Sequence, residues 1–96
     1  MIIAEISITP LGTKTTSVSQ YVKKATQTLK QTGLHVESGA MSTTIQAQTL
    51  AEILDAAQKA HQTLINEGAQ RIITEIKIDH RLDKNATIKT KKQKIN

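Results

Sequence analysis

The segment from His35 to Ala47, HVESGAMSTTIQA, carries hydrogen-bonding side chains where a small domain would normally place apolar ones. Glu37 supplies a carboxylate, and hydroxyl groups are supplied by Ser38, Ser42, Thr43 and Thr44. A carboxylate beside hydroxyls suits a flat ligand edge that presents both donors and acceptors, and Met41 can lie against a ring through its sulfur. The alternative is a strand pair whose polar side faces water, where Thr is common. The residues alone leave both interpretations open.

A second polar group lies at the start of the first predicted helix. Ser17 and Gln20, in SVSQ, have the spacing of a capping box. A helix N-terminus also exposes unpaired N–H groups and a partial positive charge, which suit an anion. Capping alone explains Ser17, whereas a cap does not require the second hydroxyl at Ser19.

The remaining ionisable clusters predict no catalytic centre and no metal or other cofactor. His61 falls on an apolar helix face, which favours a core imidazole bonded to a backbone carbonyl over a base. The run DHRLD, residues 79–83, matches no strong metal motif, and we expect Asp79 to pair with Arg81. The sequence has no Ser-His-Asp arrangement, H-E-x-x-H, P-loop or G-x-G-x-x-G motif, so we predict a protein that is not an enzyme.

Hydrophobic periodicity predicts six elements in the order β-α-β-β-α-β. Alternation predicts a strand over residues 2–9, ended by Pro10 and Gly12, and another over Arg71–Asp79. Helices follow the capping boxes at Ser17 and Thr49 and stop at glycines, and the 35–47 hairpin lies between them. This order is the ferredoxin-like arrangement, an α+β fold with a four-stranded antiparallel sheet and two helices on one face.

The predicted topology gathers polar residues at one end and leaves one sheet face open. The residues expected at the hairpin end are Thr9, Ser17, Ser19, Glu37, Met41, Thr43 and Arg71. On the second helix we expect the buried face to consist of Leu50, Ile53, Leu54, Ala57, His61, Leu64 and Ile65. The open face mixes Ile3 and Ile73 with polar side chains. Because the chain lacks Phe and Trp, we expect this face to form a homo-oligomer, a dimer or tetramer.

The net charge of +5 is a property of the C-terminal segment. Residues 1–83 carry equal numbers of acidic and basic side chains, and the excess consists of Lys84, Lys89, Lys91, Lys92 and Lys94. We therefore predict one domain over residues 1–84 and a lysine-rich tail, 85–96, that is solvated or pairs at a sheet edge. A chain with one aromatic residue lacks stacking platforms, which argues against a nucleic-acid partner.

The absence of Cys and the character of the N-terminus predict the compartment. Without Cys the chain forms no disulfide, which fits a reducing environment. The apolar stretch at the N-terminus is too short for a membrane span, and Glu5 comes too early for a signal peptide. We expect a soluble cytoplasmic protein with no membrane partner.

Four segments together resemble one known family. They are ITPLGT (8–13), SVSQYV (17–22), ESGAMSTTIQA (37–47) and TEIKIDHRLDK (74–84), and they resemble the small thiamine-binding proteins of the YkoF-like group over residues 2–84. The resemblance implies a ferredoxin-like fold, homo-oligomers formed through the open sheet face, and binding of thiamine or its hydroxymethylpyrimidine part. Where the family pattern has a second hairpin acid, this chain has Gln46, which weakens the case for a cationic thiazolium at that position.

These observations lead to two hypotheses. In the first, the protein binds thiamine or a related aminopyrimidine without catalysis, through Thr9, Ser17, Ser19, Glu37, Gly39, Met41 and Thr43. Glu37 would accept a hydrogen bond from the exocyclic amine, Thr43 and Ser19 would complete the polar edge, and Met41 would cover the ring. In the alternative, the protein is a structural or regulatory homo-oligomer with no small-molecule ligand.

Overall fold

The computed structural model describes residues 1–12 and 18–95 and contains the predicted order of strands and long helices. The elements are β1 (Ile2–Leu11), α1 (Val18–Gln31), β2 (His35–Ser38), β3 (Thr43–Ala47), α2 (Leu50–Asn66), β4 (Arg71–Asp79) and α3 (Ile88–Gln93). The strands form one antiparallel sheet in the order β2-β3-β1-β4. The ferredoxin-like fold is therefore confirmed, with α3 as an element that the sequence does not predict.

Alternation along β1 divides the sheet into two faces. Ile2, Ala4 and Ile6 belong to the core cluster, which includes residues of α1 and α2. Glu5 points to the opposite face, where its cross-strand neighbour on β4 is Lys77. The strand runs two residues beyond the predicted stop, because β4 pairs with it as far as Leu11. Proline is tolerated in this extension because only one side of the strand is paired there.

The buried face of α2 is rotated relative to the prediction. The buried residues of the helix are Ile53, Ala56, Ala57, Ala60 and Leu64. The predicted burial of Leu50, Leu54 and Ile65 is wrong, since each is 44–48% exposed. Three alanines on the inner face allow the helix to lie close to its neighbours, so its larger side chains fall at the margin.

Three local signals read from the sequence are confirmed. Thr49 and Glu52 form a reciprocal capping box at the start of α2. Gly33 and Gly68 follow the two long helices with φ of +83° and +92°, a conformation that favours glycine.

Among the residues described, no helix has the length and apolar character needed to cross a membrane.

The C-terminal segment folds back over the sheet face opposite α1 and α2. Thr87 caps α3 by accepting a hydrogen bond from the Thr90 N–H, and Ile88 directs its side chain into the interface with only 4% exposure. Gln46 on β3 accepts a hydrogen bond from the Ile88 N–H at 2.8 Å. Ile3, which shares the same groove, is 5% exposed. Part of the face that the sequence predicts to be open is therefore covered by the chain itself.

Candidate functional site

A cavity lies at the hairpin end because β1 is longer than its neighbour β3. The pairing of these strands ends at Ile6 and Thr43, so β1 from Ser7 onward is paired only with β4. The hairpin turn and α1 enclose the resulting space, which has a volume of about 270 Å³. We call this space the hairpin cavity.

Four of the seven predicted site residues line the hairpin cavity: Thr9, Gly39, Met41 and Thr43. The helix side of its wall is mainly apolar, with Val22, Ala25 and Leu29 and one hydroxyl-bearing residue, Thr26. Thr43 directs its side chain to this side of the sheet, whereas Thr9 alternates with the core-facing Ile6 and Ile8 and borders the cavity from the edge of β1. An apolar wall with a hydroxyl group on a facing strand is typical of small-molecule sites.

Gly39 sets the shape of the hairpin turn. Its N–H donates to the Ser42 carbonyl at 2.8 Å. A Cβ at position 39 would lie 3.0 Å from that same carbonyl oxygen, so a larger residue would force the turn to shift. The turn holds Met41 at the cavity rim with its side chain 90% exposed, where it is available to close over a bound group.

The cavity offers hydrogen-bonding groups from side chains and from the backbone. Thr43 is only 9% exposed, and among the described residues its hydroxyl has no side-chain or backbone partner. Along Ser7–Leu11, alternate peptide groups point toward the side where β3 has ended. A ligand edge with both donors and acceptors therefore meets complementary groups here.

The structure does not bring Glu37 and Thr43 together. Glu37 lies opposite Thr44 in the strand pairing, whereas Thr43 lies opposite Ser38. Adjacent residues of a strand point to opposite faces, so Glu37 projects from the face that carries α3 and Thr43 from the face that carries α1. No single ligand inside the hairpin cavity contacts both side chains in this conformation.

Glu37 is instead part of the attachment of α3. Its carboxylate accepts a hydrogen bond from Lys92 at 2.8 Å and lies 3.4 Å from Nε2 of His35. The hydrogen bond from Lys92 lowers the pKa of the Glu37 carboxyl, and His35 lowers it further. The charged form of this carboxylate is therefore favoured, chiefly by the Lys92 ammonium group on its own face.

Ser19, and Arg71 which was also expected at this end, are not among the residues that line the cavity. Ser19 is exposed in the first turn of α1, and Arg71 is exposed at the start of β4. Ser17 and its predicted capping box lie outside the described residues.

Two predicted side-chain pairings are wrong in their partners. His61 is partly buried as expected, but its Nδ1 contacts the Thr74 hydroxyl at 2.6 Å instead of a backbone carbonyl. Arg81 forms a bidentate ion pair with Asp83 instead of pairing with Asp79. Asp79 forms its ion pair with Lys91. Within residues 1–12 and 18–95, no three His, Asp or Glu side chains form a group that can hold a metal ion.

A second groove, of about 490 Å³, lies between α3 and the sheet. Its apolar surface includes Ile3 and Ile88, and its charged rim includes Lys77 and Lys92. Sequence reasoning missed this groove because it treated residues 85–96 as a tail. The available signal was local: Thr87 precedes Ile88 and is followed three residues later by Thr90, which completes its capping arrangement.

Comparisons with known proteins agree with the fold and extend over nearly the whole chain. A family model described as "Thiamine-binding protein" matches residues 4–96. The UPF0045 protein MJ1052 of Methanocaldococcus jannaschii is 47% identical over 90 residues, which cover 94% of this chain and 87% of the relative. A UPF0045 protein of Methanothermobacter thermautotrophicus is 36% identical over 95 residues, covering 99% of this chain and 96% of that protein.

Solved structures of similar proteins have the same fold. The crystal structure of MJ1052 superposes with a TM-score of 0.89 at 46% identity, covering 98% of this chain and 94% of the other. A Bacillus cereus structure of the domain of unknown function DUF77 superposes with a TM-score of 0.87 at 35% identity, and the match covers 99% of this chain and 89% of the other. The residues that build the hairpin cavity therefore lie in a fold found in relatives from both archaea and bacteria.

Proposed function

Because this chain belongs to the thiamine-binding protein family, we propose that it binds thiamine or a related aminopyrimidine in the hairpin cavity, without catalysis. The observation that carries the proposal is the shared cavity wall formed by Thr9, Gly39, Met41 and Thr43, four residues that the sequence predicts for the ligand site. The family model covers all four positions. We also propose that the protein is cytoplasmic, because a chain without Cys forms no disulfide and fits a reducing compartment.

The size of the cavity favours one ring as the enclosed group. Sites for drug-sized ligands have volumes of about 300–1,000 Å³, and the hairpin cavity has about 270 Å³. We expect the pyrimidine ring to enter and the thiazolium part of thiamine to stay at the rim. Such a ligand leaves its cationic half near water, so the loss of an acid at Gln46 does not prevent binding.

Within this proposal the polar contacts come from Thr43 and from the unpaired edge of β1. The Thr43 hydroxyl can donate to a ring nitrogen, and peptide carbonyls of Ser7–Leu11 can accept from the exocyclic amine. Met41 closes over the ring from the hairpin side. The carboxylate role that the sequence suggests for Glu37 stays a prediction, and it requires a ligand on the opposite sheet face.

Calorimetric titration of two matched variants tests these assignments. Thr43→Val keeps the shape of the side chain and removes the hydroxyl, and we expect roughly tenfold weaker binding of hydroxymethylpyrimidine. Glu37→Gln keeps the size of the side chain and removes the charge on the other face, and we expect affinity to change by less than about twofold. A loss of affinity in Glu37→Gln with none in Thr43→Val would move the ligand to the groove beside α3. Absence of heat with both thiamine and hydroxymethylpyrimidine would refute ligand binding.

A second candidate function is self-association through the part of the sheet face that α3 leaves uncovered. Ile73 on β4 is 41% exposed on this face, next to Glu75 and opposite Thr9 of β1. β4 is also an edge strand nine residues long, with one unpaired side. Exposed apolar side chains on a long edge strand favour pairing with another chain.

Light scattering on charge variants tests this second candidate. Ile73→Glu introduces a carboxylate at the centre of the exposed surface, and we expect it to lower the mass of the particle to that of one chain. Leu82→Glu is the control, because Leu82 is 87% exposed in the loop after β4. A mass that is the same for wild type and Ile73→Glu would count against this interface.

A further inference from the structure

A third cavity, of about 260 Å³, lies at the end of the molecule opposite the hairpin cavity. It is lined by Asp79, Arg81, Lys84, Asn85, Ala86, Thr90, Lys91 and Lys94. On β4, Asp79 is six residues from Ile73, which is paired with Thr9 of the hairpin cavity. At about 3.4 Å per residue the two ends are roughly 20 Å apart, so one small ligand does not span them.

The charges around this cavity are unbalanced. Four cationic side chains line it, and two carboxylates offset them: Asp79 accepts from Lys91, and Asp83 accepts from Arg81. Lys84 and Lys94 have no acidic partner among the described residues. Among the described side chains at this cavity, the formal excess is two positive charges, supplied by these two lysines.

Lys84 and Lys94 are also close to one another. Both side chains line the same cavity, and the neighbouring Lys94 lowers the pKa of the Lys84 ammonium group, with the charge of Arg81 acting in the same direction. Like charges in contact repel unless an anion lies between them. The chain thus brings together two cations, ten residues apart, that have no counter-ion within the described part of the structure.

We propose that this cavity binds the phosphate group of a small molecule, with the ammonium groups of Lys84 and Lys94 as its principal contacts. A phosphate monoester carries about −1.5 to −2 charges at neutral pH, which matches the excess of the site. Its oxygens accept from several ammonium groups at once, and the side-chain amide of Asn85 adds a neutral donor to the wall. The volume of about 260 Å³ accommodates a single phosphate or diphosphate group.

The folding of α3 builds this site. Lys84 precedes the helix in the chain and Lys94 follows it, and Thr87 starts the helix between them. The docking of Ile88 and the pair between Lys91 and Asp79 fix the helix against the sheet, and this places the two lysines at the same cavity. A ligand bound between them stabilises the docked position of α3, and its affinity depends on that docking.

Titration of the full chain with inorganic phosphate and with diphosphate, at constant ionic strength, tests the proposal by amide NMR. We expect saturable shifts confined to residues 79–95. The double variant K84Q/K94Q should bind roughly tenfold more weakly or worse, because it loses both unpaired charges. The control K23Q/K30Q removes the same charge from exposed positions on α1 and should bind within about twofold of wild type.

Two further measurements separate loss of the site from loss of folding. The charge-conserving variant K84R/K94R should retain phosphate binding. Without phosphate, K84Q/K94Q should unfold at the same temperature as wild type or higher, because a repulsion is removed, and with phosphate only the wild type should gain stability.

Three outcomes would overturn the proposal. The first is a set of shifts spread over the whole surface, and the second is an equal loss of affinity in K84Q/K94Q and K23Q/K30Q, which would indicate non-specific charge attraction. The third is a single-stranded oligonucleotide that binds through Lys84 and Lys94 more tightly than diphosphate, which would make the site a nucleic-acid contact instead.

Discussion

The two faces of the sheet are covered in different ways. On one face, α1 and α2 bury a continuous cluster that includes Ile53, Leu29 and Leu64. On the other face, the six-residue α3 is attached by one buried apolar side chain, Ile88, and by the exposed pairs of Lys91 and Lys92 with strand carboxylates. The first face follows from apolar burial, which is non-directional and strong, whereas the second depends on a few specific contacts.

This difference assigns separate roles to the two faces. The large apolar cluster supplies most of the free energy of folding, so the elements that form it are rigid and can hold the hairpin cavity. Weakly attached segments open at low cost in free energy, and elements that respond to ligands come from such segments. We therefore expect changes on the α1/α2 face to alter global unfolding, and changes on the α3 face to alter local opening.

The largest effect should come from truncating the α2 core. Ile53→Ala removes a side chain with no exposed surface and should lower the free energy of unfolding by about 2–5 kcal/mol. Denaturant titration measures this loss. The neighbouring Leu54→Ala is the control, because Leu54 is 48% exposed. Equal losses of unfolding free energy in the two variants would contradict the assignment of Ile53 to the buried face and Leu54 to the exposed margin of α2.

A smaller effect should follow from truncating the anchor of α3. Ile88→Ala exposes the groove and should cost about 1–2 kcal/mol, because the segment can detach without unfolding the rest. Hydrogen exchange should accelerate at residues 88–93 before the sheet is affected. Ile95→Ala, at a position that is 82% exposed, is the matched control and should change neither quantity. Protection that persists in Ile88→Ala would show that the ion pairs and the hydrogen bond from the residue 88 N–H to Gln46 hold α3 without the apolar contact.

Acid should release α3 ahead of global unfolding. Lys92 lowers the pKa of Glu37, and Lys91 lowers the pKa of Asp79, with further lowering from nearby cations. A carboxyl whose pKa is lowered by folding stabilises the docked state above its ordinary pKa and loses that effect as the pH falls through the lowered value. The release should therefore occur below pH ~4, near and under the ordinary carboxyl range. Amide NMR of residues 88–93 across this range measures it, and signals that do not change down to global unfolding would contradict it.

The smallest effect should come from removing a single pair. Lys92→Gln leaves the Lys91 pair and the Ile88 contact in place, so we expect unchanged global unfolding and slightly faster exchange within α3. Lys89→Gln is the control, because it removes the same charge from an exposed position whose side chain pairs with no described carboxylate. Faster exchange in both variants would attribute the effect to net charge instead of the pair with Glu37.

The fold was predictable where local pattern and burial agree. The alternation of β4 predicted its bounds, Arg71–Asp79, because a half-buried strand repeats every two residues. The capping box at Thr49 and the stops at Gly33 and Gly68 are local backbone requirements. The burial of α2 was less predictable, since both Leu54 and Ala56 fit a helical period and only close packing decides which of them turns inward.

The candidate site was predictable in part. Strand order placed Thr9, Gly39, Met41 and Thr43 at one end, and the structure brings these four to one cavity. Glu37 was grouped with them because of its proximity in sequence. Its separation from Thr43 depends on the pairing register, since a shift by one residue would exchange the two faces.

By itself the sequence determined the order of the elements, the alternation of the strands and most of the helix boundaries, because each depends on residues a few positions apart. Only the tertiary structure shows that Lys92 donates a hydrogen bond to Glu37, 55 positions away in the chain. The same holds for the hydrogen bond from the Ile88 N–H to Gln46, 42 positions away. Contacts at such separations depend on closing long loops and on the exact direction of side chains, which no local pattern encodes. The elements that border the hairpin cavity follow from the first kind of information, whereas the strand pairing that opens the cavity and the docked C-terminal helix follow from the second.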